Sequence, residues 1–206
     1  MYIPKLYRLE SDEAVQIMRT YPFAILITMD NHHPIATHIP VEIREHDEKI
    51  YVTGHIAVGN MQKNTLDNND DVLLIFQGPH SYISSSWYEA ENVPTWDYIA
   101  VHAYGKSRVL SGDELEPALA ALLQHYESGR ENGRLMGTFT PGYIQKQMKG
   151  IVGFEIEITS IEASGKMSQN RTDKDYIAIV TELEKSPGDG EPKVAKWMRQ
   201  RRPHLF

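Results

Sequence analysis

Apolar and polar residues along the chain alternate in short runs that are typical of strands, with a few longer runs of helical periodicity. Seven runs predict strands: FAILITM (23–29), IATHIPVEI (35–43), KIYVTGH (49–55), DVLLIFQ (71–77), HSYISSS (80–86), YIAVHAYGKSRVL (98–110) and IVGFEIEITSIEA (151–163). In the second run, Pro40 cannot donate to a neighbouring strand and marks an edge or an irregularity. In the sixth run, Gly105 predicts a bulge or a close backbone approach. Short strands joined by tight turns favour an antiparallel sheet closed into a barrel over a parallel βαβ repeat.

Helical periodicity occurs near both ends of the chain and in its middle. Residues 11–22 predict a short helix, because Ser11 can cap it, acidic residues occupy its first turn and Pro22 follows it. Residues 112–129 predict the clearest helix, which ends near Gly129. Its apolar stripe consists of Leu115, Leu119, Leu122 and Tyr126. Shorter helical segments are predicted within 56–70, 141–150 and 172–186, and a flexible break at 186–192 precedes a basic tail.

The composition is that of an ordinary globular protein. Of the 206 residues, 41% are hydrophobic and 24% are charged, and no run approaches the roughly 18 apolar residues of a membrane span. The first residues, MYIPKLYRLESDEA, lack the features of a secretory signal. Cysteine is absent, which removes disulfides and thiolate zinc sites and suits a reducing cytoplasm. We therefore expect a cytoplasmic protein, and its net charge of −7 argues against broad, non-specific attraction to nucleic acid.

The familiar catalytic and nucleotide-binding motifs are missing. The chain has neither a Walker loop nor a GxGxxG fingerprint. Its nine histidines form no HExxH motif, so we predict no metal site. The three consecutive serines at 84–86 do not lie in a GxSxG motif. The sequence therefore predicts no catalytic residue.

Two segments are candidates for ligand binding. In the first, TGHIAVGN (53–60), a strand gives way to a helical connection, where N–H groups, a hydroxyl and an imidazole could face an anion. The alternative is an ordinary turn. The second, 78–105, concentrates aromatic rings and hydroxyls, as a pocket for a flat, phosphorylated ring system would. Its serines 84–86 fit either hydroxyl donors near a ligand or a polar strand end.

The basic tail is a third feature with more than one interpretation. Within KVAKWMRQRR, the cations are Lys193, Lys196, Arg199, Arg201 and Arg202. They could contact DNA phosphates, or the segment could cap a neighbouring subunit through its tryptophan and methionine. Because the chain is acidic overall and has no recognisable helix-turn-helix, we favour a solvated helix with an apolar docking stripe.

Several segments, taken together and in this order, resemble one family. They are MYIPKLY, ATHIPVEI, GHIAVGN, FQGPHSYISSSWY, VPTWDYIAVHAYG and GIVGFEIEITSIEASGKMSQNR. The combination resembles the PaiB family of FMN-binding split-barrel proteins, described as negative transcriptional regulators, from Met1 to Arg171 and onward through the tail. The resemblance implies a mainly β fold with inserted helices, a Greek-key antiparallel split barrel similar to pyridoxamine-phosphate oxidases and flavin reductases. It also implies a homodimer with FMN at the subunit interface, a barrel domain over 1–171, and a C-terminal helical segment and tail over 172–206 packed on that domain.

The same resemblance implies cofactor contacts by position. The residues concerned are His38 and Ile39 on a flavin-facing strand, Thr53, Gly54, His55 and Asn60 around the phosphate, Ser84, Ser85 and Ser86 as hydroxyl donors, Trp87 and Trp96 as walls of the ring or the interface, and Lys166, Ser168 and Gln169 reaching across the dimer. The alternative for the last group is a hairpin turn with a salt bridge. The oxidases place arginine and lysine near the phosphate, whereas this chain has histidine and neutral donors. We therefore expect weaker FMN binding than in the oxidases.

Three functional hypotheses follow. The first is a cytoplasmic, dimeric, FMN-binding transcriptional regulator of repressor type, in which the flavin acts as a ligand or a redox sensor and the tail is the candidate DNA contact. The second is an enzyme, either an FMN-dependent oxidoreductase or a haem-handling split-barrel protein. The third is an interaction protein that has kept the barrel and lost the cofactor.

Overall fold

Strands carry most of the regular structure in the computed structural model, which describes residues 1–206. In chain order the elements are α1 (Ser11–Thr20), β1 (Phe23–Asp30), β2 (His33–Pro40), β3 (Glu42–His46), β4 (Lys49–Ala57), β5 (Asn69–Ile83), β6 (Thr95–Val109), α2 (Gly112–Glu127), α3 (Tyr143–Met148), β7 (Ile151–Lys166), α4 (Asp173–Lys185) and α5 (Glu191–Arg201). Short 3-10 helices include Met61–Thr65 and Ser85–Trp87. No helix has the length and apolar character that crossing a membrane requires.

The seven strands form one sheet in the order β2-β1-β5-β6-β7-β4-β3. The pairs β1–β2, β1–β5, β3–β4 and β4–β7 are antiparallel. Alternation along the strands sets their burial, since in β1 every second side chain from Ala24 to Thr28 is buried. The mainly β, antiparallel architecture predicted from the sequence is therefore confirmed.

The division of the chain into strands differs from the sequence prediction in two places. The predicted strand 35–43 is divided into β2 and β3 after Pro40, where the Val41 N–H donates to the Pro22 carbonyl oxygen at 2.9 Å instead of continuing a ladder. The predicted strands 71–77 and 80–86 form one 15-residue strand, β5. Gly78 permits this continuity, since a Cβ there would lie 2.9 Å from the Ile99 Cβ. Ser85 lies outside the strand and begins a 3-10 turn.

The chain divides into two units. Unit 1 contains residues 1–17, 77–101 and 162–206, and unit 2 contains residues 18–76 and 102–161. Strands β5, β6 and β7 have residues in both units. The core of unit 1 includes the buried side chains of Ile83, Ile99, Tyr176, Ile179, Val194 and Met198. The core of unit 2 includes those of Leu26, Val52, Leu74, Phe76, Phe154 and Ile156.

Backbones approach closely within unit 2 at Gly105, as expected from its place in an otherwise alternating strand. A Cβ at this position would lie 2.4 Å from the Glu157 carbonyl oxygen and 2.7 Å from the Ile156 Cγ2. Only glycine fits without a shift of β7, so Gly105 fixes how β6 and β7 pack.

Candidate functional site

The sequence-predicted site residues fall into two groups, one in each unit. Unit 1 contains Ser84, Ser85, Ser86, Trp87, Trp96, Lys166, Ser168 and Gln169. Unit 2 contains His38, Ile39, Thr53, Gly54, His55 and Asn60.

In unit 1, residues 84–88 form a compact serine loop at the end of β5. The Ser84 hydroxyl caps the 3-10 turn by accepting from the Ser86 N–H at 3.2 Å, and the two side-chain oxygens lie 2.8 Å apart. Ser85 and Trp87 are half-buried, whereas Ser86 is exposed. The serines thus shape a turn and present hydroxyls at its surface.

Next to this loop, β5 and β6 carry an exposed aromatic patch made of His80, Tyr82 and Trp96. The Trp96 ring is stacked on His80, with centroids 5.9 Å apart and planes at 27°, and its centroid lies 6.0 Å from that of Tyr82. Tyr82 and Trp96 each have 49% of their surface exposed. A planar apolar surface of this kind suits stacking of a flat ring. Sequence reasoning identified Trp96 but missed His80 and Tyr82, although their spacing of two along a strand places both on one face.

The 166–171 turn follows β7 and places a cation beside the patch. The Lys166 ammonium donates to the Trp96 carbonyl oxygen at 2.6 Å and to the Thr95 hydroxyl, and it lies 3.7 Å from the Asp97 Oδ1. An ammonium has three N–H donors, and these two hydrogen bonds leave one, beside the Asp97 carboxylate, that is in no hydrogen bond within the chain. Lys166 is thus a half-buried cation at the edge of the aromatic patch.

Ser168 is held by a buried carboxylate. Its hydroxyl donates to the Asp97 Oδ2 at 2.6 Å, and its backbone is left-handed with φ of 55°. Burial raises the pKa of Asp97, while the hydrogen bond from Ser168 and the charge of Lys166 lower it, with burial dominant. Ser168 has no side-chain proton left for a ligand, so its place is in holding the turn.

Gln169 also supports the turn, and Arg171 connects it to the serine loop. The Gln169 side chain accepts from the Met167 N–H at 2.7 Å and donates to the Gly165 carbonyl oxygen, which leaves one amide N–H uncommitted. The Arg171 guanidinium lies 4.1 Å from the centroid of the Tyr88 ring and donates to the Tyr88 hydroxyl at 3.2 Å. Unit 1 therefore brings the serine loop, Trp96 and the 166–171 turn together.

In unit 2, residues 53–55 lie within β4 and face a narrow cleft. Thr53 is paired with Glu42 on β3 and with Glu155 on β7. The cleft is lined by Pro40, Glu42, Thr53, Gly54, His55, Leu115, Ala118, Leu119 and Leu122, and its volume is about 10 Å³. That volume suits about one water molecule, and a carboxylate in the lining disfavours an anion. The phosphate of FMN does not fit this cleft in the observed conformation.

His55 is the titratable group in that cleft. Burial lowers the pKa of its imidazole below the ordinary value of 6.5. The ring is therefore neutral at pH 7 and offers a hydrogen bond rather than a charge.

The other unit 2 residues differ in their burial and in the hydrogen bonds that they make within the chain. Asn60 caps the 3-10 helix by accepting from the Gln62 N–H at 3.0 Å and donates to the Thr37 hydroxyl at 2.9 Å. His38 is exposed and Ile39 is buried. Their strand, β2, pairs with β1 alone, so half of its backbone polar groups have no strand partner. Such an edge fits the predicted role of this backbone in reading a flavin edge.

A larger cleft of about 560 Å³ lies elsewhere in unit 2 and contains none of the predicted residues. Its lining consists of Tyr51, Asn68, Asp70, Lys106, Ser107, Arg108, Glu155 and Glu157. The charged groups are paired with one another or with neighbours, as in Arg108 with Glu155 at 2.7 Å and Lys106 with Asp70 at 3.4 Å. The pairing leaves no net cationic surface for a phosphate.

The basic tail is docked on its own unit. Arg199 pairs with Glu184, Arg201 with Glu13 and Arg202 with Asp173. Lys193 and Lys196 are exposed on α5. Val194, Ala195 and Met198 on the same helix are buried and form its apolar stripe.

The side chains of unit 1 have the chemistry that binding a flavin requires. The aromatic patch offers a surface for a planar ring, the serine loop offers hydroxyls, and Lys166 and Gln169 each retain a donor. The residues present in unit 1 fit FMN. Two predicted residues, Ser84 and Ser168, are engaged in local hydrogen bonds instead.

Comparison with known proteins agrees with this chemistry. Residues 1–160 match the family model described as "Putative FMN-binding domain". The chain is 41% identical over 202 residues to "Protease synthase and sporulation protein PAI 2" of Bacillus subtilis, and the match covers 98% of each chain. It is 25% identical over 228 residues to an uncharacterized protein of Emericella nidulans, with 90% of this chain and 91% of that protein covered.

Solved structures share the fold at low sequence identity. The flavocytochrome Anf3 from Azotobacter vinelandii matches with a TM-score of 0.63 and 15% identity, covering 85% of this chain and 78% of that one. The FAD and heme binding protein from Mycobacterium smegmatis matches with a TM-score of 0.60 and 17% identity, covering 82% and 78%. Because the family model and the Bacillus relative match most of the sequence, the chain belongs to the PaiB family, whose domain is an FMN-binding split barrel.

Proposed function

We propose that the chain is a transcriptional regulator of repressor type that binds FMN as a ligand or redox sensor and works as a homodimer. The observation that carries this proposal is the 41% identity to PAI 2 across 98% of both chains. The match extends past residue 160 into α4 and α5, so more than the FMN-binding domain is shared. When bound, FMN supplies a redox-active isoalloxazine ring.

The flavin contacts that unit 1 supports best centre on the aromatic patch. Trp96 would pack on the ring, and Lys166, which donates to the Trp96 carbonyl oxygen, would present its remaining N–H to an anionic group. Ser85 and Trp87 would approach the same ligand from the serine loop. Because Lys166 and Trp96 are joined within the chain, both would contact the flavin from one protomer, in place of the contact across the dimer that the resemblance implies for Lys166.

The predicted contacts in unit 2 remain part of the proposal. The backbone of His38 and Ile39 would meet the flavin edge. Thr53, Gly54, His55 and Asn60 would contact the phosphate only if α2, which lines the narrow cleft through Leu115 and Leu119, moves away from β4. Dimerisation would cover the exposed aromatic patch, since exposed apolar surface of this kind is typical of interfaces.

Direct DNA binding, if it uses the tail, would use Lys193 and Lys196. The three arginines of the tail are neutralised by intrachain ion pairs, whereas these two lysines are exposed. Loss of a phosphate contact weakens binding uniformly across sequences and lowers its salt dependence.

The test is selection of genomic fragments on the immobilised protein, followed by titration of the selected fragment at several salt concentrations. We expect specific binding that differs between oxidised and reduced FMN and that weakens in the double variant Lys193→Ala/Lys196→Ala. The matched control is Lys146→Ala/Lys149→Ala, two exposed lysines of unit 2. Failure to select any fragment, together with rapid NADH or NADPH oxidation by the FMN-loaded protein, would assign the chain to the oxidoreductases.

A further inference from the structure

Arg202, in the basic tail, holds the backbone of the 166–171 turn. Its guanidinium donates to the carbonyl oxygens of Gln169 at 2.8 Å and Arg171 at 3.2 Å, and to the Asp173 carboxylate at 2.8 Å. The same group lies 4.4 Å from the centroid of the Tyr176 ring. A planar guanidinium is suited to this task, because it can direct several donors to fixed acceptors at once.

We propose that Arg202 is a positioning residue for FMN, which fixes the 166–171 turn so that Lys166 and Gln169 present their free donors to the cofactor. The inference rests on the proposed flavin contacts in unit 1. The C-terminal segment, which lies beyond the 160 residues matched by the family model, would then take part in the cofactor site.

The backbone carbonyl groups in the C-terminal half of the turn depend on this contact, because the other hydrogen bonds there are made by the Gln169 side chain and by the N–H groups of Arg171. Asp97 holds Ser168 in the N-terminal half through a 2.6 Å hydrogen bond. Beyond it, the carbonyl oxygens of Gln169 and Arg171 are both acceptors for Arg202. Ser168 has a left-handed backbone, a conformation that costs free energy outside glycine and persists only where its surroundings impose it. Removing Arg202 therefore frees the two carbonyl groups and relaxes the turn.

Four variants separate positioning from charge and from stability. Arg202→Ala removes the contact, and Lys196→Ala removes one exposed positive charge from α5, the helix that precedes Arg202. Tyr176→Phe deletes the 2.8 Å hydrogen bond from the Tyr176 hydroxyl to the Met198 carbonyl oxygen, which weakens α4–α5 packing but keeps the aromatic ring beside the Arg202 guanidinium. Arg202→Lys keeps the charge but loses the planar fork, so it should recover only part of the affinity.

The measurements are the dissociation constant for FMN, from quenching of flavin fluorescence, and amide hydrogen exchange of residues 166–171 in the cofactor-free, full-length protein. We expect Arg202→Ala to weaken FMN binding at least tenfold and to speed exchange in the turn. Arg202→Lys should lie between it and the unchanged protein. Lys196→Ala and Tyr176→Phe should stay within twofold in affinity, although Tyr176→Phe lowers the melting temperature.

The outcomes distinguish this inference from the proposed function. If Arg202→Ala binds FMN as tightly as Lys196→Ala does, the positioning role is overturned while the flavin site stays intact. A Tyr176→Phe variant that loses FMN as strongly as Arg202→Ala would also overturn it, because the effect would then follow stability alone. Absence of FMN binding by the unmodified protein would overturn the proposed function and this inference together.

Discussion

The hydroxyl of Ser168 donates a 2.6 Å hydrogen bond to the carboxylate of Asp97, a side chain with no exposed surface. The Asp97 Oδ1 has no hydrogen bond and only a 3.7 Å ion pair with Lys166. A buried carboxylate with one unsatisfied oxygen costs stability, and here the carboxylate holds Ser168 and with it the 166–171 turn.

Replacing Asp97 with Asn should change how stability depends on pH. Burial raises the pKa of Asp97 above its ordinary 3.8, so the folded state keeps this proton to higher pH than the unfolded state does. The contribution of Asp97 to stability is therefore fully present below 3.8 and is lost as pH rises through the folded-state pKa. The free energy of unfolding of Asp97→Asn, relative to the unmodified protein, should rise between pH 3.5 and pH 7. Urea unfolding at the two pH values measures this difference between the two proteins. A difference that stays constant would show that the pKa of Asp97 is not raised in the folded state.

His55 gives a second pH test, this time on cofactor affinity. Its pKa is lowered by burial, so the imidazole is neutral at pH 7.5 and gains a proton only in more acidic solution. Once α2 has moved away from β4, a phosphate beside His55 would favour the charged ring, and FMN binding would then take up a proton. We expect the affinity of the unmodified protein, divided by that of His55→Gln, to rise by up to about tenfold between pH 7.5 and pH 6.

The His55→Gln variant controls for titration of the FMN phosphate itself, which is common to both proteins. Fluorescence titration at the two pH values gives the ratio. A ratio that does not change with pH would place the phosphate away from His55.

Lys166 should contribute to FMN binding through charge. Lys166→Met keeps the aliphatic stem but removes the ammonium beside Trp96, and we expect at least about a tenfold loss of FMN affinity. Lys185→Met, at an exposed position of α4 in the same unit, is the control and should bind FMN normally. Equal affinities in isothermal titration calorimetry would remove Lys166 from the site.

Gln62 is the buried centre of the polar network that fixes β1, β2 and the Asn60 cap. Its side chain accepts from the Thr37 hydroxyl at 2.6 Å and donates to the Thr28 hydroxyl at 3.0 Å and to two backbone carbonyl oxygens. Gln62→Leu leaves these partners without their hydrogen bonds and should lower the free energy of unfolding by about 3 kcal/mol. Gln145→Leu, at an exposed site, should change it by less than about 0.5 kcal/mol in the same denaturation assay. Equal effects would show that the network is not what stabilises the β1–β2 hairpin.

Gly105→Ala tests the close approach of β6 and β7. The added Cβ would meet the Glu157 carbonyl oxygen at 2.4 Å, and backbone cannot move away as a side chain can. We expect a loss of about 2 kcal/mol in the free energy of unfolding, measured by thermal or urea denaturation. Gly59→Ala, where a Cβ meets nothing within 4 Å, should be neutral or slightly stabilising. A neutral Gly105→Ala would contradict the packing described for this pair of strands.

Local pattern predicted most of the elements because alternation and capping act over a few residues. Helix α1 begins at Ser11 and ends before Pro22, as the sequence indicates. Pro40 itself indicates the break between β2 and β3. The hydrogen bond from the Val41 N–H to the Pro22 carbonyl oxygen could not be predicted, because it joins residues that are far apart in the sequence. Continuous β5 was missed because glycine and proline at 78 and 79 look like a turn.

The site could be predicted only in its residue types. Lys166 and Ser168 were selected by resemblance, yet their partners Trp96 and Asp97 lie about 70 residues away in the sequence. No spacing rule connects positions so far apart, since the contact is created by the pairing of whole strands. For the same reason the sequence could not reveal that Arg202 reaches the carbonyl oxygen of Gln169.

Titration of the purified protein with FMN is the most direct measurement of whether this chain binds the cofactor. Quenching of flavin fluorescence is followed to saturation while the mass of the protein is measured in parallel. We expect saturable binding of one FMN per chain by a dimer. A folded protein that leaves flavin fluorescence unchanged at saturating concentrations would contradict it.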